Sequence, residues 1–416
     1  MMTESLILNL LTILTVAWLL GYLFSRLGMP LILGQLVAGV ILGPSLLGWV
    51  TATPSLELMA DMGIFFVMFS SGMEMNPKEV IEHIKPAAAT SLGGFVLPFI
   101  LGFIVTRLFG GTTFQSLFVG LGISITAVAV QSVVLRSMRI NQTEIGHVII
   151  GAAIINDVLA FIGLSVLFAL VRTGGVVWDD MVLLLLKVGL FFSLVVVVSE
   201  LIMPRLAKHV TDVEGFGFTF GISVALVMGY LAELAGLHIV IGAFVAGQFV
   251  RREIMDEKVY EVIKDRFFGI AYGFLVPIFF VSLSFHLHFE WNWWFISFSL
   301  ALTAVAIIGK LFGAGLAFWP FRRNLREAMV VGFGMNGRGA MELVIASVVI
   351  ALSAELMKAG TITAPLLTDE QFSTLIITAF ITTLLAPITL KFAVQRSCQS
   401  DEYTNFCRIL SEASPY

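Results

Sequence analysis

Uninterrupted apolar runs decide what this chain can become. Stretches of about 18 to 28 mostly apolar residues follow one another along its length, separated by short charged or Gly/Pro-bearing breaks. At about 1.5 Å of rise per helical residue, such a run crosses the roughly 30 Å hydrocarbon layer of a bilayer. Inside lipid every backbone N–H and C=O must be satisfied within the segment, so these runs must be helices. Composition leaves little room for a soluble alternative. Of 416 residues, 58% are hydrophobic and only 12% are charged, against about a quarter charged in ordinary soluble domains. The predicted fold class is an all-α polytopic membrane protein.

Thirteen transmembrane helices are expected, over about 6–24, 31–50, 56–73, 87–110, 114–136, 144–172, 180–204, 216–235, 238–250, 267–285, 292–318, 327–352 and 371–395. The ninth is short enough to be tilted or partly re-entrant. The first run has Glu4 before it and no Lys or Arg, so it reads as a retained helix and not as a signal peptide. With the N-terminus outside, eighteen Lys and Arg side chains fall on the cytoplasmic side and three, Arg107, Arg172 and Lys358, outside. Lys187, Lys310 and Arg338 lie within spans and complete the 24. That bias is what the positive-inside rule demands. The polar stretches are 251–266, with ten charges in sixteen residues, and a cytoplasmic tail, 396–416. The former reads as an amphipathic cytoplasmic helix, a solvated connector or a regulatory contact.

Partners and cofactors are constrained by what is missing. No basic tract with interleaved aromatics suggests nucleic acid. Cys398 and Cys407 form neither a CxxC motif nor a disulfide framework. No cofactor and no enzymatic chemistry are expected.

Ionisable groups deep in a bilayer cost several kcal/mol unless paired or hydrated, which makes them functional candidates. Asp157 lies near the centre of the sixth helix, about thirteen residues or roughly 20 Å from its start. Lys310, near the centre of the eleventh, is the expected charge partner. Arg338 and Glu342, four residues apart, would share a face of a regular helix, although Gly334, Gly337 and Gly339 make regularity doubtful there. A second expected break lies at Gly122-Ile123-Ser124-Ile125-Thr126-Ala127 in the fifth helix. Ser124 and Thr126 can ligate ions, yet such residues in membrane helices more often bond their own i−4 carbonyl. The breaks fall in helices four to six and eleven to thirteen, two three-helix units an odd number of helices apart. Inverted repeats with two discontinuous crossing helices are the sequence pointer to a midplane transport site. Glu74, Glu200, Lys187, Glu233 and His238 read as interfacial or structural.

These residues carry a resemblance. Gly34-Gln35-Leu36-Val37-Ala38-Gly39-Val40-Ile41-Leu42-Gly43-Pro44, Ser71-Gly72-Met73-Glu74-Met75-Asn76-Pro77, Ser124-Ile125-Thr126-Ala127 with Gln131, Asn156-Asp157, Lys310 and Asn336-Gly337-Arg338-Gly339 occur in order from about Leu10 to Ala393. Together they are similar to the second branch of the monovalent cation–proton antiporters, which includes Kef-type potassium efflux systems and plant cation/proton exchangers. The resemblance implies a homodimer in a bacterial inner membrane. It also implies a core bundle of about 87–172 and 292–395 that moves, elevator-like, against a dimerisation scaffold of about 6–73 and 216–285, with a linker helix at 180–204. All belong to one integral membrane domain, 1–395.

The expected activity is exchange of Na⁺ or K⁺ for H⁺ by competition at Asp157. Ser124, Thr126 and Asn156 supply further oxygens, and Gln131, Asn336, Arg338 and Glu342 surround the broken helices. Asn156 stands where some members have Asp and Kef-type proteins have Gln. An Asn-Asp pair tends to accompany electroneutral exchange, whereas Lys310 is also found in electrogenic members, so stoichiometry stays open. Gating in cis by a Kef-type nucleotide-binding domain is not expected. A cation channel or uniporter, a membrane sensor, and an organic-anion transporter of similar architecture are the alternatives.

Overall fold

The computed structural model describes the chain except residues 1, 28–30, 45, 75–82, 129–130, 132–133, 136–139, 141–142, 174–185, 188, 192, 196, 208–209, 211–215, 236, 238, 251–253, 284–291, 323 and 399–416. His238, Cys407, the start of the expected linker helix and nearly all of the expected tail lie outside the described residues. What is described is helical, with no strand among those residues. In order the helices are α1 (Met2–Arg26), α2 (Leu31–Leu42), α3 (Pro54–Glu74), α4 (Ile84–Leu108), α5 (Thr113–Ser124), α6 (Glu144–Thr173) and α7 (Met203–Ala207). They continue with α8 (Phe216–Leu234), α9 (Ile239–Gly247), α10 (Glu257–Ile270), α11 (Val276–Leu283), α12 (Trp293–Arg322), α13 (Leu325–Gly334), α14 (Ala340–Lys358) and α15 (Asp369–Cys398). Among the described residues eight helical stretches are long and apolar enough to cross a membrane.

The ninth helix is short, as expected, with its helical turns over Ile239–Gly247. The charged stretch before the tenth span is an amphipathic helix, as expected, but it is more than a solvated connector. From Glu257 it runs through α10, a π-helical turn at Ala271–Leu275 and α11 as one helical path. Val259, Tyr260, Ile263 and Phe267 form a buried stripe along α10, and the Tyr260 hydroxyl donates to the Met73 carbonyl at 3.4 Å. The dense charges of 257–266 occupy the other face of that helix.

The chain divides into two compact units. One comprises residues 1–75 and 168–287. Its core gathers Ile13, Ala17, Ala38, Leu42, Val50, Leu56, Ile278 and Val281. Small residues let its helices meet closely: a Cβ on Gly72 of α3 would fall on the Phe244 carbonyl of α9, and one on Gly247 would fall on the Phe69 carbonyl of α3. Between membrane helices, van der Waals packing of this kind replaces the hydrophobic driving force, because lipid tails are as apolar as the side chains.

The other unit comprises residues 76–167 and 288–416 and holds α4, α5, most of α6 and α12 to α15. α4 and α12 meet along a glycine seam. Cβ atoms on Gly93 or Gly313 would each strike the other's carbonyl, and one on Gly309 would lie 2.9 Å from Pro98 Cα. α12 and α15 are joined by hydroxyl pairs, Ser299–Thr374 at 3.2 Å and Thr303–Thr378 at 3.1 Å. An apolar cluster that includes Val148, Ile149, Ala152, Ala314, Val330, Val331 and Leu390 fills the space among α6, α12, α13 and α15.

Candidate functional site

Every candidate site residue lies in this second unit. α5 begins at Thr112, whose hydroxyl accepts from Gln115 N–H at 3.2 Å while the Gln115 side chain accepts from Thr112 N–H at 2.9 Å. This reciprocal pair satisfies two of the orphan donors of a helix start. α5 stops at Ser124, and Ile125 is extended (φ −76°, ψ 147°). Helical backbone resumes at Val128. α13 stops at Gly334, and residues 335–339 form no helix before α14 begins at Ala340. The sequence marks this second break by its three glycines. The first carries only Gly122 and a Ser-Ile-Thr-Ala run.

The two breaks bind each other. Ala127 N–H donates to the Gly337 carbonyl at 3.1 Å, and the Thr126 hydroxyl donates to the Met335 carbonyl at 3.2 Å. α6 joins them, because Thr126 N–H donates to Asn156 Oδ1 at 2.9 Å. Asp157 follows on the same helix, 5% exposed, with no hydrogen-bond partner at Oδ1. Ser124, Thr126, Gln131, Asn156, Lys310, Asn336, Arg338 and Glu342 are each no more than 1% exposed.

Lys310, the expected charge partner of Asp157, makes its hydrogen bonds elsewhere. Its ammonium donates to the Ser124 carbonyl and, at 2.5 Å, to the Thr126 hydroxyl. Among the described residues no ion pair joins it to Asp157. Arg338 and Glu342 do pair, at 3.0 Å, although Arg338 lies outside α14. The same guanidinium reaches across to the other break, donating to the Ile123 carbonyl and, at 3.4 Å, to the Gly122 carbonyl. Two cations therefore cover three successive carbonyls, Gly122, Ile123 and Ser124, at the C-terminal end of α5. A helix C-terminus carries partial negative charge and unsatisfied carbonyls, so both the field and the hydrogen bonding favour this arrangement.

The Ser124 hydroxyl donates to its own i−4 carbonyl, Gly120, at 2.7 Å. The bare arithmetic of the crossing is balanced: Asp157 and Glu342 against Lys310 and Arg338. Alongside Asp157 Oδ1, the buried polar atoms with no partner are concentrated here. They include both amide atoms of Gln131 and of Asn336, Asn156 Nδ2, and Glu342 Oε2. Buried polar groups are satisfied elsewhere in proteins with few exceptions, so this is where the fold leaves capacity to bind. Among the described residues no three His, Cys, Asp or Glu side chains gather into a metal cage. The oxygens present are two carboxylates, carboxamides, hydroxyls and main-chain carbonyls.

One participant escapes the sequence reading. Thr383 of α15 accepts from Arg338 N–H at 3.3 Å and donates to the Arg338 carbonyl at 2.8 Å. Its only mark in sequence is Pro387, four residues on.

The family described as sodium/hydrogen exchanger, transmembrane, matches residues 10–396. The chain belongs to that family. It is thus a member of the monovalent cation:proton antiporters and an integral membrane protein, as the motifs from helix two to the twelfth span imply. Among similar exchangers is the Na(+)/H(+)-K(+) antiporter GerN of Bacillus cereus, 28% identical over 379 residues that cover 90% of this chain and 92% of GerN. The probable Na(+)/H(+) antiporter GerT of the same organism is 30% identical over 376 residues, covering 89% and 94%. The structure of the sodium proton antiporter MjNhaP1 from Methanocaldococcus jannaschii superimposes with a TM-score of 0.71, at 18% identity, over 95% of this chain and 99% of that one. That likeness establishes a shared fold.

Proposed function

We propose that this exchanger moves Na⁺ or K⁺ against H⁺ by competition at Asp157. The observation that carries the reading is a carboxylate 5% exposed, in the middle of a long apolar helix, with an unpartnered oxygen beside two broken helices. A lone acid in such a place has two inexpensive states: protonated, or neutralised by a bound cation. Both cannot hold at once, and that exclusion couples the fluxes. Asn156, Thr126 and Ser124 contribute oxygens around the ion. Lys310 neutralises the empty site from a distance, through the field it sets up at the α5 terminus. Membership of the family and the printed activities of GerN and GerT support the same exchange chemistry.

The finer picture follows the sequence. The chain places thirteen helices in a bacterial inner membrane, the ninth tilted or partly re-entrant, with its N-terminus outside. The two broken helices belong to inverted repeats. A homodimer alternates access by elevator-like travel of the core. The test is proton flux in proteoliposomes under gradients of Na⁺, K⁺, Li⁺ or choline, with voltage clamped by ionophore. Exchange reads as proton movement driven by Na⁺ or K⁺ and absent with choline. Cation flux without proton countermovement would instead mark a channel or uniporter and refute the reading.

A further inference from the structure

The hydroxyls of α15 divide into two kinds. Thr382 and Thr389 donate to the carbonyls one turn back on their own helix, Thr378 at 2.7 Å and Leu385 at 2.9 Å, the usual use of such residues in membrane helices. Thr374 and Thr378 pair with hydroxyls of α12. Thr383 does neither. Its single hydroxyl meets both main-chain groups of Arg338, at 3.3 Å and 2.8 Å, and it is 3% exposed.

The setting explains why a clasp is needed there. Arg338 stands between Gly337 and Gly339 in the stretch between α13 and α14 that forms no helix. With no helix ladder around it, this backbone needs side-chain partners if its polar groups are to be satisfied away from water. Pro387 loosens the other side of the contact. It has no N–H to offer the Thr383 carbonyl, and its ring crowds the carbonyl four residues back. Thr383 thus stands one turn before a proline in α15 and meets the non-helical stretch between α13 and α14.

We propose that Thr383 is a positioning residue of the exchange site: by clasping the Arg338 backbone it fixes the guanidinium over the Gly122 and Ile123 carbonyls and so sets the electrostatic surroundings of Lys310 and Asp157. The inference rests on the exchange reading above. The charged side chains buried at this crossing are Asp157, Lys310, Arg338 and Glu342. Displacing the guanidinium changes its distance to the other three, and in a medium of low dielectric such a change alters the proton affinity of each.

The experiment compares wild type, Thr383→Val, Thr383→Ser and Thr378→Val in proteoliposomes, reading cation-driven proton flux across pH. Thr383→Val keeps the shape and removes the hydroxyl. It is expected to lower flux about tenfold, the scale of one buried hydrogen bond, and to move the pH of half-maximal flux by at least about half a unit. Thr383→Ser, which restores the hydroxyl, is expected to keep the wild-type profile. Thr378→Val, which breaks only the rung to Thr303, is expected to keep the wild-type profile even where it lowers thermal stability. If Thr383→Val does not yield monodisperse protein, Thr383→Ala reads the same profile. With exchange present in the wild type, an unmoved profile in the hydroxyl-free variant overturns the assignment alone, as does a Thr383→Ser profile displaced like that of valine. An inert wild type overturns the exchange reading and this assignment together.

Discussion

The two broken helices look like counterparts, and the contrast between them is informative. α5 and α13 each start with a capped turn, at Thr112 and Asn324, and each stops deep in the same unit. Their ends are held by different balances of the same means. α13 closes largely on itself: Met335 N–H reaches back to the Val331 and Gly332 carbonyls at 3.0 and 3.3 Å, and Asn336 N–H to Phe333 at 3.2 Å. α5 has one such bond, from Ile125 N–H to the Gly122 carbonyl at 3.3 Å, and is otherwise closed from afar, by Lys310 of α12 and Arg338 from the other break. Backbone geometry can therefore be nearly symmetrical while the electrostatics are one-sided. Both basic side chains of the crossing sit at one terminus. Asp157, whose Oδ1 lacks a partner, belongs to the helix that pins that terminus through Asn156.

The largest expected effect tests whether this one-sidedness serves transport. Asp157→Asn removes the titratable group and keeps the volume. It should abolish cation-driven proton flux in proteoliposomes, a loss of at least about a hundredfold for an essential proton-carrying group, with unchanged size-exclusion behaviour. Retained coupled flux would show that the carboxylate is a bystander. Next comes the long-range closure of α5. Arg338→Ala leaves Glu342 buried and unpaired and uncovers two carbonyls, at a cost of about 3–5 kcal/mol, readable as a large loss of thermal stability in detergent. The double variant with Glu342→Ala should recover part of it. If the double variant is no more stable than the single, the carbonyl contacts outweigh the ion pair. Lys310→Met should be milder, about 1–3 kcal/mol for the bonds lost at Ser124 and Thr126. Its transport should fail even where the fold survives, so a variant that exchanges normally would separate Lys310 from the site. The smallest effect lies at the capped starts. Thr112→Ala should cost about 1 kcal/mol by loss of the reciprocal cap and leave the pH dependence of flux untouched. A displaced pH profile there would mean that the α5 start, too, communicates with the crossing.

How much of this was readable beforehand depends on the kind of signal. Asp157, Lys310 and Arg338 stand out because a charge within a long apolar run has so few physical excuses. The α13 break announces itself through Gly334, Gly337 and Gly339. The targets of the two cations do not. Opposite charges suggested Lys310 with Asp157; the sequence marks the break in α5, but not that the ammonium from a distant helix hydrogen-bonds to its end. Thr383 was illegible for a related reason. Thr382 beside it bonds its own helix, and nothing local separates the two except Pro387. The extension of α10 into the tenth span was hidden by composition. Ten charges in sixteen residues read as an amphipathic helix separate from the span, and nothing local shows that its stripe at Val259, Tyr260, Ile263 and Phe267 runs on into that span.

The seam between α4 and α12 constrains how Lys310 can travel. Gly93 faces Gly313 and Pro98 faces Gly309, so main chain rests on main chain with no rotamers between them to yield. Two rods joined in that way behave as one welded beam. The ammonium can swing on its four-carbon stem, but its anchor can shift only if the whole beam shifts, and the partner rod must then make the same journey.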